Sequence, residues 1–323
     1  MRTSPALALG ASCTLALGIT LGVAAPARAL PDTGGAVPAA TGTPIQLMPK
    51  PGVDLTALPL GDAYVSLDGP QRGWTWACTA GNPNAPGAIH SGPWIQGDTW
   101  DITEKFAVSG SVSWSHVAAY SETSTSGSMG TRTITTMRVP TVGTTGTFPI
   151  QRTDPAFQYD RNPSPVSPRS KTVTIPRNPT KAAKPSCLPM GAIGVAKNGV
   201  MLYNALDARN MDARAHEMHD SCEGHPNFAE YHYHAGSACA VGADAGPNSA
   251  VLFGYAFDGF GIYVVRDANG DMLTNDDLDA CHGRTARVKW NGKTQRIYHY
   301  VVTQEYPYLL GCFTGTNVVP PAR

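Results

Sequence analysis

From Ala63 onward, short apolar runs are interrupted every few residues by Gly, Pro and Asn, and no apolar stripe holds a helical period for long. That spacing predicts short strands joined by turns. Ser109 to Val139 is rich in Ser and Thr, with alternation in Val112-Ser-Trp-Ser-His-Val117. Together with Thr131 to Met137 it predicts strands around the turn Ser126-Gly-Ser-Met-Gly130. Ala192–Lys197 and Val200–Tyr203 flank Asn198-Gly199, a strong hairpin signal that returns at Asn291-Gly292. Ser249 to Val265 is apolar and aromatic but for Asp258-Gly259, and reads as two buried strands bent there. Gln151 to Pro185 is either a surface excursion or an extended strand bounded by prolines. Ala205 to Asp220, with Ala, Met, Arg and Glu, is the one appreciable helix expected. The predicted fold is mainly β, a single compact disulfide-bonded β-rich domain over residues 59–323 with one or two short helices.

The N-terminus changes the picture by placing the chain outside the cell. Arg2, the apolar run Ala6 to Ala25 and Ala27-Arg28-Ala29 have the form of a cleaved secretory signal over residues 1–29. A run so rich in Ala and Gly makes a poor anchor, so no stable membrane attachment is expected after cleavage. Residues 30–58, mostly Pro, Gly, Thr and Ala, read as a flexible lead-in. Loss of the signal removes Cys13 and leaves six cysteines, which allow 15 pairings. Proximity along the chain favours Cys222–Cys239 and Cys281–Cys312, with Cys78–Cys187 left over. No Cys-x-x-Cys pair supports a thiolate metal site.

Charge and composition exclude more than they assign. The 24 basic side chains balance the 24 acidic ones without forming a basic stripe, so no nucleic-acid partner is expected. Trp74, Trp76, Trp94, Trp100 and Trp114 are assigned to the core, with a sugar-stacking platform as the sharper alternative. No Gly-rich phosphate loop and no Gly-x-Ser-x-Gly appear. Asp267-Ala-Asn-Gly-Asp271 opens like a calcium loop but lacks the later Gly and Glu, and reads as a hairpin turn.

The candidate chemistry lies in Cys222-Glu-Gly-His225-Pro-Asn-Phe-Ala-Glu-Tyr231-His232-Tyr233-His234, which continues to Cys239. On a strand, His232 and His234 share one face while Tyr231 and Tyr233 take the other. Two imidazoles at i, i+2 form a two-point chelate, and His225 supplies a third. Neutral imidazoles suit a divalent transition metal, Zn or Cu. Asp258, a carboxylate in an apolar run, and His299, flanked by tyrosines, are further candidate ligands. His216-Glu217-Met218-His219 has its histidines three apart, one short of the zinc-protease spacing, and that reading is rejected. Glu217 and Asp220 remain candidate catalytic carboxylates, as base or as partners that orient an imidazole. His282 is expected on a surface turn.

The Tyr231–His234 segment resembles the YHYH-domain family of mostly secreted bacterial proteins. Further matching motifs are Gly69-Pro-Gln-Arg-Gly-Trp74, Gly191 to Val200, Gly254 to Tyr263, Leu278 to Arg284, Tyr298-His-Tyr300, Tyr306-Pro-Tyr308 and Gly311-Cys-Phe313. Several motifs in one order, over roughly Gly69 to Gly315, make the resemblance specific. It implies a domain and not a reaction. The expectation is an exported protein with a His/Asp metal site. The alternatives are a metal-dependent extracellular hydrolase and a metal-free module that binds a small molecule, a glycan or another surface.

Intact-mass measurement on culture supernatant should find a mature chain beginning at Leu30. A cytoplasmic protein retaining Met1 would refute export and the disulfide argument with it.

Overall fold

The structure is a computed structural model that describes residues 1, 42–128, 130–228, 230–241, 246–316 and 318. The signal segment, Cys13 and the expected start at Leu30 lie outside the described residues. No described helix is long and apolar enough to cross a membrane. The protein is mainly β, as its short apolar runs predict. Strands of three or more residues are β1 (Tyr120–Ser124), β2 (Thr131–Thr136), β3 (Lys171–Pro176), β4 (Lys181–Ser186), β5 (Ala192–Ala196), β6 (Met201–Tyr203) and β7 (Gly224–Asn227). They continue with β8 (Glu230–Tyr233), β9 (Ala250–Ala256), β10 (Gly261–Val265), β11 (Gly283–Trp290), β12 (Lys293–Val302) and β13 (Phe313–Gly315).

One eight-stranded sheet in the order β7-β8-β6-β5-β9-β10-β12-β11 forms the centre. Most neighbours are antiparallel, but β6 runs parallel to β8 and β10 parallel to β12. Strands β3-β2-β1 form a second sheet, and β4 pairs with β13. Both Asn-Gly turns join antiparallel strands. At Asn291-Gly292 both residues have positive φ, 49° and 80°, as a tight hairpin twisted with its strands requires. The Asp258-Gly259 bend is likewise a hairpin, between β9 and β10. Gly259 sits at φ +91°, and a Cβ there would fall 2.5 Å from the Pro176 carbonyl oxygen. The Gln151–Pro185 stretch resolves into a short turn of helix, β3 and the start of β4. The turn at Asp267 is a hairpin turn, its carboxylate accepting from the amides of Asn269 and Asp271.

Four expectations are corrected. The helix over Ala205–Asp220 shrinks to α1 (Ala213–His216). Asn204 accepts from the Leu206 amide, and Asp207 from the amides of Arg209 and Met211. These local bonds compete with helix formation. Asp212 then caps α1, accepting from the Arg214 amide. The second correction concerns Val112–Val117, which is a bridge and a turn; its strand begins only at Tyr120. Third, the lead-in is docked from Thr43 on. Thr43–Pro44 pairs with Phe106–Ala107, Met48 is buried, and Arg266 donates to the carbonyls of Pro49 and Lys50. A few residues such as Ile45, Leu47 and Leu55 suffice to pack that stretch on the core. Lastly, His282 is buried, with its Nε2 3.0 Å from the Thr303 hydroxyl.

The disulfides are Cys222–Cys239 and Cys281–Cys312, the pairs that proximity favoured, and Cys78–Cys187, the pair left over. Trp94 and Trp100 lie in the core, where Trp94 donates to the Ala215 carbonyl, but Trp74, Trp76 and Trp114, also assigned there, are only half-buried.

Burial depresses the His282 pKa to about 3. The unfolded chain takes up this proton below pH about 6.5 while the folded chain resists it. The stability that neutral His282 contributes is therefore present above pH about 6.5 and is lost as pH falls toward 3. Denaturant unfolding of wild type and His282→Gln should show wild type losing stability relative to the variant on acidification, by about 1.4 kcal/mol per pH unit. Parallel pH profiles would contradict this.

Candidate metal centre

The site starts from an edge pairing. β7 and β8 are antiparallel, and His225 is the direct cross-strand partner of His232. Alternation along β8 then sends its side chains to two sides. Tyr231 donates to Asp220 at 2.8 Å and Tyr233 accepts from the Asn198 amide nitrogen at 3.1 Å. On the other side the His232 Nε2 lies 3.0 Å from the His225 Nε2 and 3.1 Å from the His234 Nε2.

A third segment completes the cluster. After α1 the chain becomes extended at Glu217, with φ −82° and ψ 150°. Extended backbone places Glu217 and His219 on one side and Met218 and Asp220 on the other. The Glu217 carboxylate reaches 3.5 Å from the His225 Nε2 and 3.7 Å from the His234 Nε2. The His219 ring lies 4.5 Å from the His225 ring, centroid to centroid. Glu217, His219, His225 and His234 each offer a ligand atom within 4.8 Å of the others. Buried Lys105 fixes the turn before them by donating to the carbonyls of Arg214 and Glu217. Burial lowers its pKa to about 8.

The hydrogen bonds set the tautomers. His232 Nδ1 faces the Glu230 carbonyl at 3.0 Å, and His234 Nδ1 faces the Asn204 carbonyl at 2.5 Å. A carbonyl only accepts, so both Nδ1 atoms carry the proton. Burial depresses the pKa of His232 to about 4 and of His234 to about 3, and holds His219 and His225 well below the usual range. The rings are neutral at physiological pH, and the Nε2 atoms of His232 and His234 present bare lone pairs to each other. His225 Nδ1 and His219 Nε2 are buried without a hydrogen-bond partner. Burial, then the charges of Asp207 and Asp160, pushes the Glu217 pKa well above the carboxylate range. Tyr203 stacks on the His232 ring at 3.8 Å and donates to Glu230, which also pairs with Arg138.

Three predicted residues stand apart from this cluster. His299 is on β12, five strand steps from β8, or about 24 Å at normal strand spacing. Its Nδ1 donates to the Ile297 carbonyl and its ring meets Tyr263. Asp258 is buried in the β9–β10 turn, where it accepts from the Tyr300 hydroxyl at 2.5 Å and the amides of Phe260, Thr314 and Gly315. It fastens β13 and β12 to the turn and does not converge with the histidines. Asp220 is buried behind the site. Its oxygens accept from Tyr231 and from the amides of Gly146, Cys222 and Gly224. The second ring nitrogens of His232 and His234 hold backbone carbonyls, not Glu217 or Asp220, and that of His225 has no partner. His219 was the residue missed: its signal is the two-residue period from Glu217, hidden by reading the segment as helix.

Residues 172–273 match the family model described as YHYH protein, which covers the histidine strand, Glu217 and His219. The match identifies this stretch as a YHYH domain, and His299 lies beyond it. No curated protein and no solved structure matches the chain.

Asp220→Ala leaves Tyr231 and three amides without their acceptor. Chemical denaturation should show a loss of about 3 kcal/mol or more. Unchanged stability would return Asp220 to the list of candidate catalytic groups.

Proposed function

We propose that this exported YHYH protein holds one transition-metal ion in the cluster of Glu217, His219, His225, His232 and His234, and that the metal is Zn or Cu. The observation that carries the reading is the pair of bare Nε2 lone pairs, 3.1 Å apart in a buried site, with both Nδ1 protons committed to carbonyls. No proton lies between them, so their mutual repulsion is relieved by a cation. Tetrahedral zinc at about 2.0–2.1 Å from each nitrogen sets the nitrogens about 3.3 Å apart. The separations here are 3.0 and 3.1 Å. Nδ1 bound to a backbone carbonyl is also how a ligating imidazole is ordinarily oriented. Neutral imidazoles favour Zn or Cu over Mg or Ca.

A metal-dependent hydrolase is the second reading, and Glu217 favours it. Its side chain is 15% exposed while those of His225 and His234 are 4% exposed, so the cluster reaches solvent on its side. A carboxylate with a raised pKa beside a metal-bound water would serve as general base. The metal-free glycan module has less support, because the histidines converge and Trp94 and Trp100 are in the core.

Elemental analysis of the mature protein after Zn or Cu loading and desalting should give about one metal per chain. The His232→Ala, His234→Ala double variant should lose it, while His282→Ala should keep it. Glu217→Gln should retain metal but lose any hydrolytic activity found. Equal metal content in wild type and the double variant, or no uptake by wild type, would overturn the metal centre.

A further inference from the structure

A second site lies over β9, β10 and β11 of the central sheet, between it and the β1–β3 sheet. A cavity of about 540 Å³ is lined there by Glu122, Arg132, Lys197, Tyr255, Tyr263 and Trp290, among others. That volume is within the range of small-molecule sites. Its charges are unequal: Arg132 and Lys197 face one carboxylate, Glu122, and Lys289 adds a further positive charge at the lining.

The carboxylate is fully used. Glu122 Oε1 accepts from Arg132 and from the Tyr255 hydroxyl, and Oε2 accepts from Lys197 at 2.7 Å and the Tyr120 hydroxyl at 3.0 Å. Four donors saturate a carboxylate. The cations are not saturated. Arg132 is 4% exposed and spends its terminal nitrogens on Glu122 and, at 2.7 Å, on Asn291. Its Nε is buried without a hydrogen-bond partner. Lys197, with a 35% exposed side chain, donates to Glu122 and Tyr120, leaving one of its three donors. The guanidinium is pinned 4.2 Å over the Tyr255 ring and 5.2 Å from Trp290, so it cannot swing away to find another acceptor. A buried donor without an acceptor is costly, and surplus positive charge in an aromatic wall favours an anionic acceptor.

We infer that this cavity binds a small organic acid, a ring carrying one carboxylate, held by Arg132 and Lys197 against the aromatic wall of Tyr255, Tyr263 and Trp290. The carboxylate takes the spare donors of Arg132 and Lys197, and the apolar wall takes the ring. An acidic sugar and an aromatic acid share this chemistry. The site is independent of the histidine cluster, which lies on β7 and β8 at the opposite edge of the sheet from β11.

Calorimetric titration with glucuronate and with benzoate, each against its neutral counterpart glucose or benzyl alcohol, tests the inference at constant ionic strength. At least one acid should bind about tenfold or more tightly than its neutral counterpart, and which one binds identifies the source. Lys197→Gln, a partly exposed change, should weaken the acid about fivefold or more, and Arg132→Gln should abolish binding if it folds. Chelator-treated protein should bind as well as untreated protein. Failure of both acids, equal binding of a neutral counterpart, or an unaffected Lys197→Gln variant would overturn the site. Loss of binding on chelation would place the ligand at the histidines and overturn it too.

Discussion

The buried carboxylate of Asp220 is the constraint on which the histidine cluster depends. A charge with no solvent is tolerated only where hydrogen bonds replace water. Here the four donors come from the Gly146 loop, the Cys222–Gly224 turn and Tyr231 on β8. One side chain thus joins the strand that carries His232, the turn that leads into His225, and the extended segment that carries Glu217 and His219. The Cys222–Cys239 disulfide closes the same loop covalently. Burial lifts the Asp220 pKa to about 6, and its donors act against that rise. The tyrosine side of β8 is therefore the structural side, which leaves the histidine side free for chemistry.

The edge position of this cluster has a physical consequence. β7 is the last strand of its sheet, and an uncovered edge would offer its backbone to other chains. The Asp220 amide donates to the Gly224 carbonyl, and the Asn162 side chain to the Pro226 carbonyl. The end of the segment that carries Glu217 and His219 thus caps the start of the edge strand, and Asn162 caps its middle. The same segment bonds Val108 on its other side, and its extended backbone alternates Glu217 and His219 onto the histidine side with Asp220 turned away.

What could be read from the sequence followed from local rules. The i, i+2 register of His232 and His234, the two Asn-Gly hairpins and the Cys222–Cys239 and Cys281–Cys312 pairs each depend on chain proximity or on a period of two, and Cys78–Cys187 followed by elimination. The failures lie where distant segments decide. Asp258 and His299 looked like ligands because a charge or imidazole in an apolar strand needs a partner. Each has one, Tyr300 and the Ile297 carbonyl respectively, but strand order rather than sequence sets how far these lie from β8. The parallel pairings of β6 with β8 and β10 with β12 join strands widely separated in the chain, and no local pattern announces them. The helix over Ala205–Asp220 failed because propensity counted Ala and Met while Asn204, Asp207 and Asp212 turned their oxygens on nearby amides. That misreading hid His219, since a helix pairs it with His216 and an extended chain pairs it with Glu217.

Two polar arrangements, one on β7 and β8 and one between the two sheets, are thus held by opposite means. The histidine cluster is poor in protons: two ring donors are spent on carbonyls, and neutral lone pairs are left facing inward. The Arg132 cavity is poor in acceptors: one carboxylate is saturated by four donors, and cationic N–H groups are left over. The first calls for a cation and the second for an anion. Neither deficit is met by the protein's own groups, whereas the Asp258 and Asp220 carboxylates each have four donors. Unmet demand of opposite sign is what sets these two places apart from the saturated Asp220 and Asp258 carboxylates. The cation proposed for the first and the acid proposed for the second would share no side chain.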